Sequence, residues 1–290
     1  MLEHLNVRPA KPARVVIVGA GGFVGGAIWK QLEADGVTTL PLARKELDLL
    51  ADGASAKLKG LLRATDSVVM VSAIAPAKTV PMLMQNLKMA ETACAALVDT
   101  EIAHLVYISS DAVYVDDANP VTERSACAPS TIHGMMHAAR ELMLKNSTKA
   151  PVAMLRPTLI YGAADPHSGY GPNRFRRQAA RGEPIAIFGE GEERRDHVLV
   201  DDVASITALV LAHRSTGALN VATGVSTSFH DIAQIIAKQY GVQVASQPRP
   251  SPRAHLLHRF FDITDSHKAF PIFHCIPLTE GLKRVRVVPS

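Results

Sequence analysis

The run Arg14-Val15-Val16-Ile17-Val18 passes directly into Gly19-Ala20-Gly21-Gly22-Phe23-Val24-Gly25-Gly26, and no other stretch constrains the fold as much. An apolar, β-branched run of this length predicts a strand buried on both faces of a parallel sheet. Gly19 ends it in a tight turn, Gly22 lets backbone approach a phosphate, and Gly25 lets the following helix pack close to the sheet. A pyrophosphate would then rest on the N–H groups of a helix N-terminus, beside Phe23 and Val24. The glycines follow a Gly-x-x-Gly-x-x-Gly spacing, with a strand before them and an amphipathic helix (Ile28, Trp29, Leu32) after them. That context is what a dinucleotide-binding turn requires.

Strands and helices then alternate. Val37–Ala43 predicts a second strand, and a short helix is expected from about Gly53 to Arg63. Ser67–Pro76 holds a third strand and its exit, where the small residues Ser72, Ala73 and Ile74 leave room for a cofactor to cross the sheet edge. Pro81–Val98 and Ser130–Asn146 predict long helices, His104–Ser110 a fourth strand, and Val152–Arg156 a fifth. Such alternation predicts an α/β fold, a doubly wound parallel sheet of the Rossmann type, with ligands at the carboxyl ends of the strands. Beyond Tyr161 the pattern is mixed: a Gly/Pro-rich loop, a basic helix, and the apolar Pro184–Gly189. His197–Val200 and Asp201–His213 read as a strand and helix returning to the main sheet. We expect a dinucleotide-binding domain over 13–162, rejoined by 196–222. A small interleaved substrate lid over 163–195 and 223–290 should contain a helix near Ser228–Tyr240.

Of the 290 residues, 47% are hydrophobic and 20% charged, enough to bury a full core. Cys94, Cys127 and Cys275 form an odd, widely spaced set with no Cys-x-x-Cys pair. That argues against a disulfide framework or zinc knuckle and for a reducing cytoplasm. No run is long enough to span a bilayer, so no membrane association is expected. A net charge of +4 is mild, aromatics are only 5%, and no basic-aromatic interleaving occurs, which excludes a nucleic-acid binder. Basic residues gather at Arg174-Phe175-Arg176-Arg177, at Arg194-Arg195 and at Lys283-Arg284-Val285-Arg286. The last reads as a solvated face, the first two as a pocket for an anionic ligand such as a diphosphate.

The second strand ends at Arg44-Lys45, where a dinucleotide fold tests the adenosine ribose. An acid there binds the 2′-hydroxyl of NAD, whereas Arg accepts the 2′-phosphate of NADP. Two cations and no acid favour NADP, with NAD as the alternative; Asp48 and Leu49 follow on the same edge.

Four segments in this order resemble the extended short-chain dehydrogenase/reductases, the NAD(P)-dependent sugar epimerase/dehydratase family. They are the Gly19-x-x-Gly22-x-x-Gly25 turn, Ser109-Ser110-Asp111-Ala112-Val113-Tyr114, Leu155–Gly162 with Pro157, and Arg195-Asp196-His197-Val198-Leu199-Val200-Asp201-Asp202-Val203. Leu42–Asp48 is similar to the matching stretch of dTDP-4-dehydrorhamnose reductases within that family. The resemblance implies a nicotinamide over the sheet edge, beside Ser109 and Pro157, and a keto- or hydroxy-sugar, often nucleotide-linked, under the lid. It also implies a homodimer built on the helices at 81–98 and 130–146. Ser110 matches the Ser/Thr that hydrogen-bonds the reacting oxygen, and Arg195 an Arg that contacts the nucleotide diphosphate. Asn173 and Asp111 are further substrate candidates. Ala112 stands where sugar dehydratases have Glu, and Leu159 replaces an Asn of many nucleotide-sugar epimerases.

The departure is on the helix after the serine strand. The family carries Tyr-x-x-x-Lys there; this chain has His133-Gly134-Met135-Met136-His137, with Glu141 one turn on. In the family the Tyr exchanges a proton with the substrate oxygen, while the Lys binds the nicotinamide ribose and lowers the Tyr pKa. The i, i+4 spacing keeps both imidazoles on one helix face. An ordinary imidazole titrates near about 6.5 against about 10 for a phenol, so His133 is a candidate proton donor at neutral pH, with His137 on the ribose. Two neighbouring imidazoles should titrate as a coupled unit and favour reduction in acid. His-x-x-x-His is also a metal-ligand spacing, but no Glu follows the first His and no third ligand is evident, so no metal is expected. Tyr161 or Tyr114 could supply the proton instead. The alternative to an NAD(P)-dependent reductase or epimerase of a sugar carbonyl is a catalytically silent NADP(H)-binding sensor or partner-binding protein.

Overall fold

A computed structural model describes residues 2–249 and 258–285. The expected strand from the first apolar run is β2 (Arg14–Val18), preceded by a short β1 (Glu3–His4) that the sequence did not announce. There follow α1 (Phe23–Ala34), β3 (Thr39–Leu42), α2 (Ala54–Leu61), β4 (Asp66–Met70), α3 (Val80–Leu97) and β5 (His104–Ile108). After a single 3-10 turn at Asp111–Val113 come α4 (Ile132–Lys145), β6 (Val152–Pro157) and β7 (Leu159–Tyr161). The last part holds α5 (Pro172–Ala180), β8 (Ile185–Phe188), β9 (Arg194–Leu199), α6 (Val200–Ala212) and β10 (Ser215–Val221). It closes with β11 (Ser226–Ser228), α7 (Phe229–Tyr240), β12 (Val244–Gln247), α8 (Thr264–Ala269) and α9 (Leu278–Arg284).

The main sheet has the order β1-β10-β6-β5-β4-β2-β3, parallel throughout except for β1 on β10. The chain leaves β2 for β3 on one side and crosses back to β4 on the other. The carboxyl ends of β2 and β4 therefore form the topological switch point, the place where such sheets take ligands. Alternation along β2 divides the core between the two faces. Val15 and Ile17 pack with Ile28 and Leu32 of α1 and Val203, Ile206 and Val210 of α6. Val16 and Val18 pack with Leu58 of α2, Ala93 and Leu97 of α3 and Leu144 of α4. Pro41 is tolerated in β3 because that strand is the sheet edge and needs no second partner.

One expectation is corrected. His197–Val200 does not return to the main sheet: β9 pairs with β7 and β11 in a separate three-stranded sheet. The chain leaves the main sheet after Pro157, and β7 draws β9 with it. The main sheet is completed instead by β10, whose Gly217–Val221 runs parallel to Ala153–Pro157 of β6. The helix after β9 does return: α6 packs its apolar face on α1. The smaller layer has a core of its own, where Phe175 of α5, Ile185 and Ile187 of β8 and Phe229, Ile232 and Ile236 of α7 meet Tyr161, Leu199 and Leu282. The parts of the expected lid at 250–257 and 286–290, with the Arg286 end of the C-terminal basic cluster, lie outside the described residues.

Candidate active site

The glycine turn is built as its spacing demands. Gly19 has φ +105°, and a Cβ there would stand 2.6 Å from the Ser72 backbone nitrogen. The positive φ and this close approach both require glycine. A Cβ on Gly25 would meet the Gly19 carbonyl oxygen at 2.2 Å, so α1 starts in contact with the turn. Gly22 is the N-cap of α1 in extended conformation, and no side chain caps the helix. Its first N–H groups are thus left to an anion. Beside them an open cavity of about 460 Å³ is lined by Gly19, Gly21, Gly22, Arg44, Asp48, Leu49, Ser72, Ala73 and Ile74 among others. Eight of the expected cofactor residues therefore share one cavity at the switch point. Phe23, Val24, Gly25, Ser109, His137 and Pro157 do not line it. The Phe23 ring packs against Gly162 on the lid side. These features suit a dinucleotide: a phosphate-sized approach at the glycines and an adenosine edge at Leu42–Leu50.

At that edge Arg44 is exposed and lies 3.0 Å from the Asp48 carboxylate. The Leu50 N–H first, and then Arg44, hold the Asp48 carboxyl below its usual range. The cation expected for a 2′-phosphate is therefore present but already carries a counter-charge.

Ser110 lies two residues past the end of β5 and caps the 3-10 turn: its Oγ accepts the Ala112 N–H at 3.1 Å and lies 3.4 Å from Asp111 Oδ1. Helix α4 starts at Thr131, whose Oγ1 accepts the Gly134 N–H at 3.0 Å. Gly134 lets that helix press on the serine turn, since a Cβ there would come 2.0 Å from the Ala112 carbonyl oxygen. His133 and His137 then share a face, their ring centroids 4.7 Å apart in an edge-to-face arrangement. His133 Nδ1 accepts the Ala77 N–H at 3.4 Å, and His137 Nδ1 lies 2.7 Å from the Tyr107 hydroxyl.

Burial decides the charge of this pair. Desolvation lowers His133 below the usual imidazole value. His137 is pushed well below it by desolvation first, then by His133 and Arg140. Both rings are neutral at neutral pH. Burial thus works against a protonated His133, because the dry site disfavours the charge.

Three residues of the site escaped the sequence reading. Tyr107 and Arg140 stand behind His137; Arg140 is fully buried and donates to the Ser72 carbonyl at 2.6 Å and to Asn86 Oδ1 at 3.3 Å. Its position one turn after His137, on the face that carries both imidazoles, was the one available signal. Arg259, the third, lies 3.6 Å from the Asp111 carboxylate and donates to the Asp111 carbonyl at 3.1 Å. No motif marks it. Desolvation raises the Asp111 pKa, opposed first by Arg259 and less by Arg195.

Other candidates have structural employment. Asn173 spends its carboxamide on the backbone, accepting from Gly162 N–H at 3.2 Å and donating to the Ile160 carbonyl at 3.3 Å. In this position it braces the loop between β7 and α5. Arg195 pairs with Glu193 and donates to the Arg194 carbonyl at 2.9 Å. Arg176 is buried and donates to the Val285 and Gly162 carbonyls at 2.8 and 2.9 Å, so the basic helix is not a free cationic wall. Tyr114 donates to Asn220 Oδ1 at 2.7 Å, and burial pushes its phenol up to about 12. The Tyr161 hydroxyl is sealed against Gly281 and also shifted up. Neither is a ready proton donor.

Fold and site together define a Rossmann-type α/β protein with an open cavity at the switch point of its main sheet. A model of the NAD dependent epimerase/dehydratase family matches residues 15–222, and the chain belongs to that family. It is 28% identical over 311 residues to GDP-L-fucose synthase of Escherichia coli, covering 93% of this chain and 94% of that protein. To UDP-glucose 4-epimerase of Mycolicibacterium smegmatis it is 26% identical over 307 residues, covering 93% and 96%. The fold is similar to that of MoeE5 in complex with UDP-glucose and NAD, with a TM-score of 0.81 at 23% identity over 93% of this chain and 96% of that one. Among the described residues no helix is long and apolar enough to cross a membrane.

Proposed function

We propose that the chain is an NAD(P)-dependent reductase or epimerase acting on a sugar or nucleotide-sugar carbonyl, with His133 at the position of the family's proton-exchanging tyrosine. One observation carries the reading: the glycine turn, Ser110 and the His133–His137 pair stand along the carboxyl edge of one parallel sheet. The named activities of the curated relatives, a nucleotide-sugar synthase and a nucleotide-sugar epimerase, support that substrate class. When bound, the nicotinamide supplies or accepts the hydride. Ser110 Oγ hydrogen-bonds the reacting oxygen, and His133 exchanges a proton with it. With Nδ1 accepting the Ala77 N–H, His133 presents Nε2 to that oxygen. In reduction it gives the proton to the carbonyl oxygen, and that direction gains in acid. His137 bonds the ribose hydroxyls, and Asp111, Arg195 and Arg259 meet the polar end of the substrate.

Arg44 favours NADP over NAD at the adenosine edge. The protein works as a homodimer through α3 and α4, whose outer faces leave Met84 and Leu142 exposed. Cys94, Cys127 and Cys275 are all unpaired, which suits the cytoplasm. A second reading, a cofactor-binding protein that has lost turnover, is favoured by the neutrality of both imidazoles, which leaves no strong acid beside Ser110.

The test is fluorescence titration with NADPH and NADH, followed by absorbance assays of nicotinamide oxidation state with a panel of UDP-, GDP- and dTDP-linked sugars and their 4-keto forms. Turnover that falls at least a hundredfold in His133→Phe supports the enzyme. Binding without turnover on any of them selects the silent reading, and no binding of either nucleotide overturns both.

A further inference from the structure

Tyr107 lies in the middle of β5 with only 1% of its surface exposed, yet its hydroxyl reaches out of the strand layer to His137 Nδ1 at 2.7 Å. The Arg140 guanidinium covers its ring at 5.3 Å from the centroid. We propose that Tyr107 is a positioning residue: its phenol donates to His137 Nδ1, fixes the ring as the Nε2–H tautomer, and leaves that N–H as the donor for a cofactor hydroxyl. The proposal rests on the reading of this site as a nicotinamide site and names what orients one of its ligating side chains.

The direction of the hydrogen bond follows from the surroundings. Burial pushes the Tyr107 phenol up to about 12, so it keeps its proton and donates. His137 is neutral, with desolvation, His133 and Arg140 all opposing its charge, and a neutral imidazole carries a single N–H. A ring that accepts at Nδ1 must hold its hydrogen on Nε2. Among the described residues Nε2 has no hydrogen-bond partner, and it is absent from the polar atoms sealed in the interior. His133 repeats the pattern, since a backbone N–H donates to its Nδ1 at 3.4 Å.

Arg140 links this arrangement to the cavity. Among the described residues it has no carboxylate partner; it is held by the Ser72 carbonyl and by Asn86. Asn86 in turn accepts the Ile74 N–H and donates to the Ile74 carbonyl, both at 2.9 Å. The side chain stacked on Tyr107 thus also anchors the Ser72–Ile74 segment that lines the cavity. A cation fixed there opposes a second proton on His137 and favours the neutral, oriented ring.

The proposal is tested by nitrogen-15 NMR of the imidazole rings in the ligand-free protein at neutral pH, for wild type and Tyr107→Phe, with NADPH and NADH titrations of both. Tyr107→Phe keeps the ring and removes only the hydroxyl. The wild type should show His137 protonated on Nε2 alone; the variant should show mixed tautomers and bind nucleotide about three- to tenfold more weakly, the range of one hydrogen bond. An Nδ1–H ring in the wild type overturns the proposal, as does a variant with unchanged tautomer or unchanged nucleotide affinity. If the variant does not fold, the wild-type tautomer and a through-bond coupling between the Tyr107 hydroxyl and Nδ1 decide. If neither protein binds nucleotide while the tautomer shifts as stated, the orienting role stands and the nicotinamide reading falls, so the two failures are distinct.

Discussion

Glu141 grips Arg156 with both carboxylate oxygens, at 2.9 and 2.6 Å, and takes the Ser109 hydroxyl on the first of them at 2.6 Å. Arg156 also donates to the Tyr114 hydroxyl at 2.9 Å, which passes on to Asn220. One buried network therefore ties α4 to β6, β10 and the segment after β5, and it fixes the helix that carries the two imidazoles against the segment that carries Ser110. Removing one partner strands the other as an unpaired buried charge. Glu141→Ala and Arg156→Met should each destabilise the protein by about 3–5 kcal/mol, and the double variant by much less than the sum. Urea unfolding of the full cycle reads this directly; additive losses would show that the pair is not coupled.

The Arg44–Asp48 pair makes cofactor choice adjustable by one charge. Arg44 must give up part of its contact with Asp48, 3.0 Å away, to take a 2′-phosphate. Asp48→Asn should tighten NADPH relative to NADH, while Arg44→Ala should weaken NADPH about tenfold or more, equal to about 1.4 kcal/mol, with NADH nearly unchanged. Parallel fluorescence titrations at one salt concentration check both. If NADH binds more tightly than NADPH in the wild type, Arg44 is an ordinary surface charge.

What the sequence showed and what it hid divide along the range of the contacts. The glycine turn was legible because a strand, a turn and the first turn of a helix occupy thirteen consecutive residues, Arg14 to Gly26, and Gly19, Gly22 and Gly25 each answer a local demand. Ser110 and the His133–His137 pair were legible for the same reason, as neighbours on a strand end and on a helix face. Tyr107 meets His137 across 30 residues, and Arg259 meets Asp111 across 148, so no spacing announces either. No strand was expected between His213 and Ser228, and the place of β10 in the sheet comes from the edge that β6 leaves open. The neutrality of His133 was equally invisible, since it depends on how much of the fold closes over the ring.

Two buried histidines make acid the weak side of the fold. Desolvation pushes His104 down to about 4 and His197 down to about 3, whereas both titrate near 6.5 in the unfolded chain. Between those values the unfolded state binds more protons, so stability is present above about 6.5 and is lost as pH falls toward the folded values. Each residue should cost roughly 2 kcal/mol by pH 5. Asp202 works the other way: burial raises its carboxyl to about 6, so its contribution favours low pH and is lost as pH rises through that value. His104→Gln keeps a donor for the Ser215 carbonyl, which His104 Nε2 contacts at 2.6 Å, but cannot titrate. Urea midpoints measured from pH 7 to 5 should fall less steeply in that variant; an unchanged slope would mean His104 is not buried neutral.

Gly134 inverts an ordinary rule. In an exposed helix interior, Gly→Ala stabilises by about 1 kcal/mol, because alanine has less backbone freedom to lose on folding. At Gly134 the added carbon would stand 2.0 Å from the Ala112 carbonyl oxygen and 2.6 Å from Pro129 Cβ, and the first of these is backbone that cannot rotate away. The helix must move off the serine turn, which separates the imidazoles from Ser110 and strains the Glu141–Arg156 network below. Gly134→Ala should therefore destabilise the protein by about 1–3 kcal/mol, as overpacking does elsewhere. It should also depress turnover more than nucleotide affinity, since the glycine turn follows β2, away from α4, and of the expected cofactor residues only His137 rides on that helix. Gly60→Ala in α2, where nothing lies within 4 Å, is the control and should stabilise. Thermal unfolding and the absorbance assay on the two variants decide: if both gain stability, α4 does not press on the serine turn as drawn.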